Sequence, residues 1–162
     1  MRRARFAIAP AILVLAASRA LAQKAVFVVR HAEKASDANE KDVPLSEQGK
    51  ARADRLAAML RDAGVTAICS TDTMRTRATA EPLARALHMT VRLYADVNDL
   101  AEELKREPDT VALVVGHGNT VPLFLTAMGA KEKIELGDRE YDNLFVVVPR
   151  PSGGPELVRL RY

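Results

Sequence analysis

Short apolar runs alternate with helical segments along most of this 162-residue chain, and this alternation constrains the fold more than any other feature. Each of the first four runs is followed by a segment with helical periodicity, whereas the last two runs follow one another directly. The predicted strands are AVFVV, VTAIC, VRLYA, TVALVVG, NLFVVVP and ELVRLRY, with PSGG in the turn of a closing hairpin. Strands that alternate with helices need right-handed crossovers, which produce a largely parallel sheet covered on both faces. The sequence therefore predicts an α/β three-layer sandwich, with one domain over residues 23–162.

The helical segments carry start and stop signals of their own. In SEQGKARADRLAAMLRDAG, Ser46 stands at the N-cap, Leu56 and Leu60 share one face, and Gly64 follows the end. The other predicted helices are TMRTRATAEPLARAL, NDLAEELKRE and TVPLFLTAMG. No repeat or low-complexity tract interrupts this order.

Cationic and imidazole side chains follow three of the predicted strands. The first strand ends in Arg30-His31, the second leads to Arg75 in the next helical turn, and the fourth is followed by His117. In open α/β sheets, ligands bind outside the carboxyl ends of the strands, so we expect these groups to meet there. Independent surface residues, each in its own salt bridge, would be scattered instead. Two arginines, two imidazoles and helix N-terminal amides at one place form a receptor for a compact anion such as phosphate.

Three blocks of the sequence together resemble the histidine phosphatase superfamily, which has the phosphoglycerate mutase-like fold. The blocks are VFVVRHAEK, STDTMRTRATAEP and LVVGHGNTVP, and the resemblance extends from Ala25 to about Val148. Ala32 stands where the family's Arg-His-Gly signature has glycine. The resemblance places Arg75 at the family's second phosphate-binding arginine and His117 at its second histidine.

The resemblance implies a phosphomonoesterase mechanism that these residue types can support. Neutral His31 would attack the phosphoryl group of a small phosphorylated substrate, and water would hydrolyse the resulting phosphohistidine. Arg30, Arg75 and His117 would bind the phosphate oxygens and stabilise the charge of the transition state. No metal or other cofactor is expected, because the clustered cations supply the electrostatic stabilisation. The chain is short for a cap over the site, which makes mutase activity less expected and leaves the substrate's identity open.

The acid that protonates the leaving group is less clearly marked. One branch of the superfamily places a Glu after the third strand, and the phytase-like branch places an Asp after the second His, where this chain has Gly118. We predict Asp96 as the proton donor because it is the first carboxylate after the third strand. Asp96 could equally cap the following helix. Asp99, Glu102 and Glu33 are the alternatives.

Two other hypotheses stay open at this stage. Cys69 and Arg75 have the Cys-x5-Arg spacing of a cysteine phosphatase loop, although the segment between them has no Gly and carries Asp72. Such loops wrap backbone N–H groups around phosphate, which favours glycine and disfavours a nearby carboxylate. The chain could also be a binding protein of the same fold that captures a phosphorylated ligand without hydrolysing it.

The segment MRRARFAIAPAILVLAASRALAQ has the features of a secretory signal. It combines a charged start, a short apolar run and a small-x-small ending at Ala20-Leu21-Ala22, so we predict a signal peptide over residues 1–22. Cleavage after Ala22 would place the protein in the periplasm or outside the cell. No other segment is apolar enough to anchor the mature chain in a membrane.

Removing the signal also changes the charge balance. It takes away four arginines and no acidic residue, which leaves 20 basic residues against 21 acidic ones. A nearly neutral chain with 4% aromatic residues and no Trp lacks the basic face and the stacking groups of a nucleic-acid binder. The lone Cys69 cannot form a disulfide within the chain, so stability must come from an ordinary core.

Overall fold

The computed structural model describes residues 25–36, 42–107, 109–150 and 152–162. The predicted signal segment lies outside these ranges. Six strands and four helices occur within them, in the predicted order. They are β1 (Ala25–Arg30), α1 (Glu47–Leu60), β2 (Ala67–Ser70), α2 (Met74–Ala86), β3 (Arg92–Leu93), α3 (Val97–Arg106), β4 (Val111–Gly116), α4 (Thr120–Ala127), β5 (Asn143–Val148) and β6 (Glu156–Arg161). None of these helices has the length and apolar character needed to cross a bilayer.

The six strands form one sheet in the order β3-β2-β4-β1-β5-β6. The strands β1 to β4 pair in parallel, whereas β5 is antiparallel to β1 and β6 is antiparallel to β5. This arrangement confirms the predicted α/β fold with a largely parallel sheet. Register aligns the ends of the central strands, with Arg30 opposite Gly116 and Ser70 opposite Val115. The residues that follow these strands therefore emerge at one edge.

Helices cover both faces of the sheet. On one face, α1 and α2 pack on a core that includes Leu56, Ile68, Leu83 and Leu113. On the other face, α3 and α4 pack on a second core. Its largest fully buried members are Phe124, Phe145, Leu104 and Leu125. Because successive side chains of a strand point to opposite faces, β1 can supply both cores, and the predicted three-layer sandwich is confirmed.

β3 is shorter than the five residues predicted for it. Its two residues, Arg92 and Leu93, are exposed and pair only with β2, at the edge of the sheet. The chain then turns inward, where the Tyr94 hydroxyl donates to the Val115 carbonyl at 3.2 Å. A Cβ atom on Gly116 would lie 2.7 Å from Thr120 Oγ1 and 3.1 Å from this hydroxyl. Glycine is therefore required where β4 runs into the site.

Candidate active site

The sheet edge formed by the ends of β1, β2 and β4 contains a cleft of about 580 Å³. Arg30, His31, Arg75 and His117, which the sequence predicted as one group, all line it. Arg30 ends β1, His31 and His117 follow β1 and β4, and Arg75 lies in the first turn of α2. The rest of the lining consists of Lys34, Gly118, Asn119, Leu136 and Asp138.

A hydrogen bond to the backbone fixes the orientation and the tautomer of the His31 ring. Its side chain is buried, at 3% exposure, and its Nδ1 lies 2.8 Å from the Ala32 carbonyl oxygen. A carbonyl can only accept, so Nδ1 carries the proton and the lone pair is on Nε2. Burial lowers the pKa of His31 to about 3; the hydrogen bond to the Ala32 carbonyl acts in the opposite direction, and the charge of Arg30 lowers the pKa further. At neutral pH the ring is therefore uncharged.

His117 lies next to His31, with 5.3 Å between the ring centroids. Arg75 Nη2 donates to His117 Nδ1 at 3.4 Å, and a guanidinium group has no lone pair to offer, so the proton of His117 is on Nε2. That N–H donates to Thr71 Oγ1 at 2.9 Å. Burial, followed by the charges of Arg75 and Arg30, lowers the pKa of His117 to about 4. The positive charge at the base of the cleft is therefore carried by the arginines.

A chain of threonines anchors the start of α2 beneath His117. Thr71 Oγ1 donates to Thr76 Oγ1 at 3.1 Å, and the buried Thr76 hydroxyl donates to the Thr71 carbonyl at 2.8 Å. Thr73 is the N-cap of α2 and accepts from the Thr76 N–H. These bonds fix the first helical turn, from which Arg75 projects. Sequence reasoning did not identify Thr71 or Thr76 as part of the site.

Arg30 is fixed by the segment that precedes β5. Its Nη1 donates to the Gly137 carbonyl at 2.9 Å, and its guanidinium carbon lies 4.5 Å from the centre of the Tyr141 ring. Its Nε is buried and has no hydrogen-bond partner among the described residues. A buried donor of this kind favours an acceptor such as a phosphate oxygen.

The segment 133–142 forms one wall of the cleft, and sequence reasoning missed it. The Tyr141 ring lies 5.9 Å from the His31 ring. The Gly137 N–H donates to Glu140 Oε2 at 2.8 Å, and Glu140 forms an ion pair with Arg161 of β6 at 3.1 Å. The strand direction of β5 could have indicated this wall. Because β5 is antiparallel to β1, the residues before β5 lie at the same edge as those after β1.

The structure does not bring Asp96 to the cleft. Asp96 is the N-cap of α3, and its Oδ1 accepts from the N–H groups of Asn98 at 2.7 Å and Asp99 at 3.1 Å. Glu102, farther along the same helix, pairs with Lys105 at 2.8 Å on the exposed surface. Among the residues described as lining the cleft, the one carboxylate is Asp138, in the wall segment.

Glu33, another candidate acid, belongs to a structural ion pair. Arg52 Nη2 lies 2.7 Å from Glu33 Oε1, and Arg52 Nη1 donates to the Tyr162 carbonyl at 2.6 Å. Burial alone would raise the pKa of Glu33, but the hydrogen bonds from Arg52 hold it below the ordinary value. A Cβ atom on Gly49 would overlap the Glu33 carbonyl, so glycine lets α1 pack closely against the turn after His31. The ion pair of Glu33 with Arg52 thus stabilises the turn after His31.

Cys69 lies within β2 and belongs to the core beneath α3 and α4. Arg92 Nη2 donates to its sulfur at 3.4 Å, yet burial still raises the pKa of the Cys69 thiol. The thiolate, which is the nucleophilic form, is therefore disfavoured. His88, which follows α2, is exposed at the far end of that helix from the cleft.

The described residues therefore place two arginines beside a neutral imidazole, an arrangement suited to binding an anion. They contain no group of three or more His, Cys, Asp or Glu side chains arranged to hold a metal ion. The family model of the histidine phosphatase superfamily (branch 1) matches residues 26–101. This span includes Arg30, His31 and Arg75, and it ends before His117. None of the curated proteins matches the sequence.

Solved structures of histidine phosphatases have the same fold. A protein from Agrobacterium tumefaciens, described as the phosphohistidine phosphatase SixA, is 22% identical with a TM-score of 0.67, covering 86% of this chain and 99% of its own. The protein histidine phosphatase SixA complexed with tungstate is 17% identical, with a TM-score of 0.69 and coverages of 85% and 96%. A mycobacterial glucosyl-3-phosphoglycerate phosphatase with inorganic phosphate is 15% identical, with a TM-score of 0.62 and coverages of 86% and 96%. At these identities the likeness shows the fold alone.

Proposed function

We propose that this chain is a histidine phosphatase that hydrolyses phosphate monoesters through a phosphohistidine intermediate. One observation carries the proposal: the Nδ1 proton of His31 is committed to the Ala32 carbonyl, while the ring is neutral and lines a cleft with two arginines. A nucleophile with a free lone pair then lies beside the groups that bind its substrate's anion.

The reaction has two displacements. In the first, the Nε2 lone pair of His31 forms a bond to phosphorus as the bond from phosphorus to the ester oxygen breaks, and the leaving oxygen gains a proton. In the second, water bonds to phosphorus, the phosphorus–nitrogen bond breaks, and its electron pair returns to Nε2. Water thereby releases orthophosphate, loses its proton and restores neutral His31.

The cations stabilise the phosphoryl group during both displacements. Arg30 offers its buried Nε, and Arg75, which donates to His117, lines the same cleft. Charge that spreads over the phosphoryl oxygens meets donors that are already oriented, so little reorganisation is needed. The tungstate and inorganic phosphate held by two of the structural relatives are tetrahedral oxyanions, which supports the same use of this edge.

The proton for the leaving group has two candidate sources. Asp96 was predicted from its position after the third strand, but its carboxylate caps α3. Asp138 lines the cleft, in the same wall segment as Gly137, which receives the Arg30 hydrogen bond. A general acid must reach the ester oxygen, so we assign this role to Asp138.

Phosphate release from 4-nitrophenyl phosphate tests the proposed function. The wild-type chain should release phosphate, and His31→Ala should lower kcat by about 10³-fold or more, because the variant has no nucleophile. Cys69→Ala should keep most of the activity. A 32P label that a substrate transfers to the wild-type chain, and that survives base but is lost in acid, would report the phosphohistidine.

Two outcomes would contradict the proposal. Activity that survives His31→Ala but is lost in Cys69→Ala would move the chemistry to the thiol. Tight binding of inorganic phosphate without any turnover would make the chain a binding protein of the same fold. A melting curve for each variant separates loss of chemistry from loss of folding.

A further inference from the structure

A second depression continues from the cleft along α4. It has a volume of about 550 Å³ and shares Gly118, Asn119 and Leu136 with the cleft. We call it the α4 groove. The two depressions are therefore adjacent, so a substrate whose phosphoryl group is bound by Arg30 and Arg75 can extend toward the groove.

The walls of the α4 groove are apolar where the cleft is cationic. Leu123 of α4 is 56% exposed, the largest exposure of any large apolar side chain in the described ranges. Pro122 lies beside it, and Ile134 and Leu136 face it from the wall segment. A single exposed leucine is ordinary, but four apolar side chains around one depression form a surface that can remove apolar groups from water.

The charged residues of the groove neutralise one another. Lys133 Nζ lies 2.6 Å from Glu135 Oε1, so this pair contributes no net charge. The groove therefore offers little to a second phosphate or to a carboxylate, in contrast to the cleft with its two arginines and Lys34. Its ligand should be uncharged and mainly apolar.

Asn119 stands at the junction between the cleft and the groove. It occupies the N-cap position of α4, but its side chain makes no cap hydrogen bond. Next to it, the Thr120 hydroxyl accepts a hydrogen bond from the backbone N–H of His117 at 2.8 Å. The Asn119 amide can thus donate to a polar atom at this junction, which is where the ester oxygen of a bound substrate would lie.

We propose that the α4 groove binds the organic part of the substrate, and that the substrates are phosphate monoesters of apolar alkyl or aryl alcohols. This inference rests on the proposed function, since it uses the same cleft for the phosphoryl group. Polyhydroxylated and multiply charged phosphate esters fit the groove poorly, because their polar groups would lose water without gaining partners.

A series of n-alkylphosphonates from methyl to hexyl tests this substrate class by calorimetric titration. The carbon–phosphorus bond is not hydrolysed, so binding is measured whether or not the chain has turnover. Full burial of a methylene changes affinity about fourfold, and a half-open groove should give about twofold for each one. Hexylphosphonate should then bind about 30-fold more tightly than methylphosphonate.

Two matched variants locate the contact. Leu123→Asp should reduce the hexyl-to-methyl affinity ratio to about threefold or less, because a charged side chain replaces the main apolar wall. Leu160→Asp is the control, since Leu160 is 44% exposed on β6, outside both the cleft and the groove. It should retain the wild-type ratio.

The outcomes separate this inference from the proposed function. A ratio near one in the wild-type chain, with methylphosphonate bound or phosphate released from 4-nitrophenyl phosphate, overturns the groove inference alone. A wild-type ratio that persists in Leu123→Asp also overturns it. Absence of both methylphosphonate binding and phosphate release overturns the proposed function, and the groove inference with it.

Discussion

At the scale of single residues, the uncharged state of His31 links stability to chemistry. The proposed mechanism requires His31 to keep its lone pair, and burial beside Arg30 makes protonation of His31 in the folded chain costly. The same burial makes folding sensitive to pH, because the unfolded chain protonates the ring near pH 6.5 whereas the folded chain does so only near pH 3. Between these two values the unfolded state binds the extra proton.

This difference predicts a loss of stability in mild acid. The contribution of His31 to the free energy of unfolding is fully present above about pH 6.5. It declines as the pH falls, by up to about 1.4 kcal/mol per pH unit. Urea unfolding at pH 7 and pH 5 should show a smaller pH-dependent loss for His31→Gln than for the wild-type chain. His88→Asn is the control, since His88 is exposed and in the left-handed region (φ 54°), which Asn tolerates. An equal loss in His31→Gln and wild type would contradict the prediction.

At the scale of helices and strands, the periodicity of apolar residues predicted the type and order of the elements. It did not predict the wall segment. The order of strands and helices follows from the alternation of apolar runs, because each run is buried in the core as part of one element. Segment 133–142 has no period to detect, and its position depends on the antiparallel pairing of β5 with β1. Tyr141 and Asp138 were missed for this reason.

The ambiguity of Asp96 arises at the same scale. A carboxylate between a strand and a helix satisfies the pattern of a catalytic acid and that of an N-cap equally well. Capping needs only backbone N–H groups two and three residues ahead, and α3 supplies both. Catalysis needs a substrate oxygen within reach, which is a matter of tertiary placement. Local sequence therefore cannot choose between these two roles.

Replacing each carboxylate by its amide distinguishes the two roles. Asp138→Asn should slow hydrolysis of an alkyl phosphate by about 10² or more, yet affect 4-nitrophenyl phosphate little, because a nitrophenolate leaves without a proton. Asp96→Asn should lower stability by less than about 1 kcal/mol, since Asn also caps helices, and should affect both substrates alike. Rates on both substrates, with a melting curve for each variant, provide the measurement. A leaving-group-dependent loss in Asp96→Asn alone would restore Asp96 as the acid.

At the scale of the whole molecule, the site depends on a change of strand direction. The parallel strands β1, β2 and β4 deliver the histidines and arginines to one edge of the sheet. The antiparallel β5 then brings a segment from late in the chain to that edge, where it contacts Arg30. Glu140 ties the segment to β6 through Arg161, so the closing hairpin supports the wall of the cleft. Residues that lie 107 positions apart in the sequence, Arg30 and Gly137, therefore shape one site.

The start of β1 at Ala25 is compatible with export, and we propose that the chain is secreted after cleavage near Ala22. β1 begins at Ala25 and lies between β4 and β5, so cleavage there would leave every described residue in place. Protein purified from its native host should have the intact mass of a chain that begins at Gln23, or within a few residues of it. Ala22→Arg should block cleavage, because signal processing requires small residues at this site, and the full-length mass should then accumulate. A wild-type chain recovered at full length from the cytoplasm would refute the proposal.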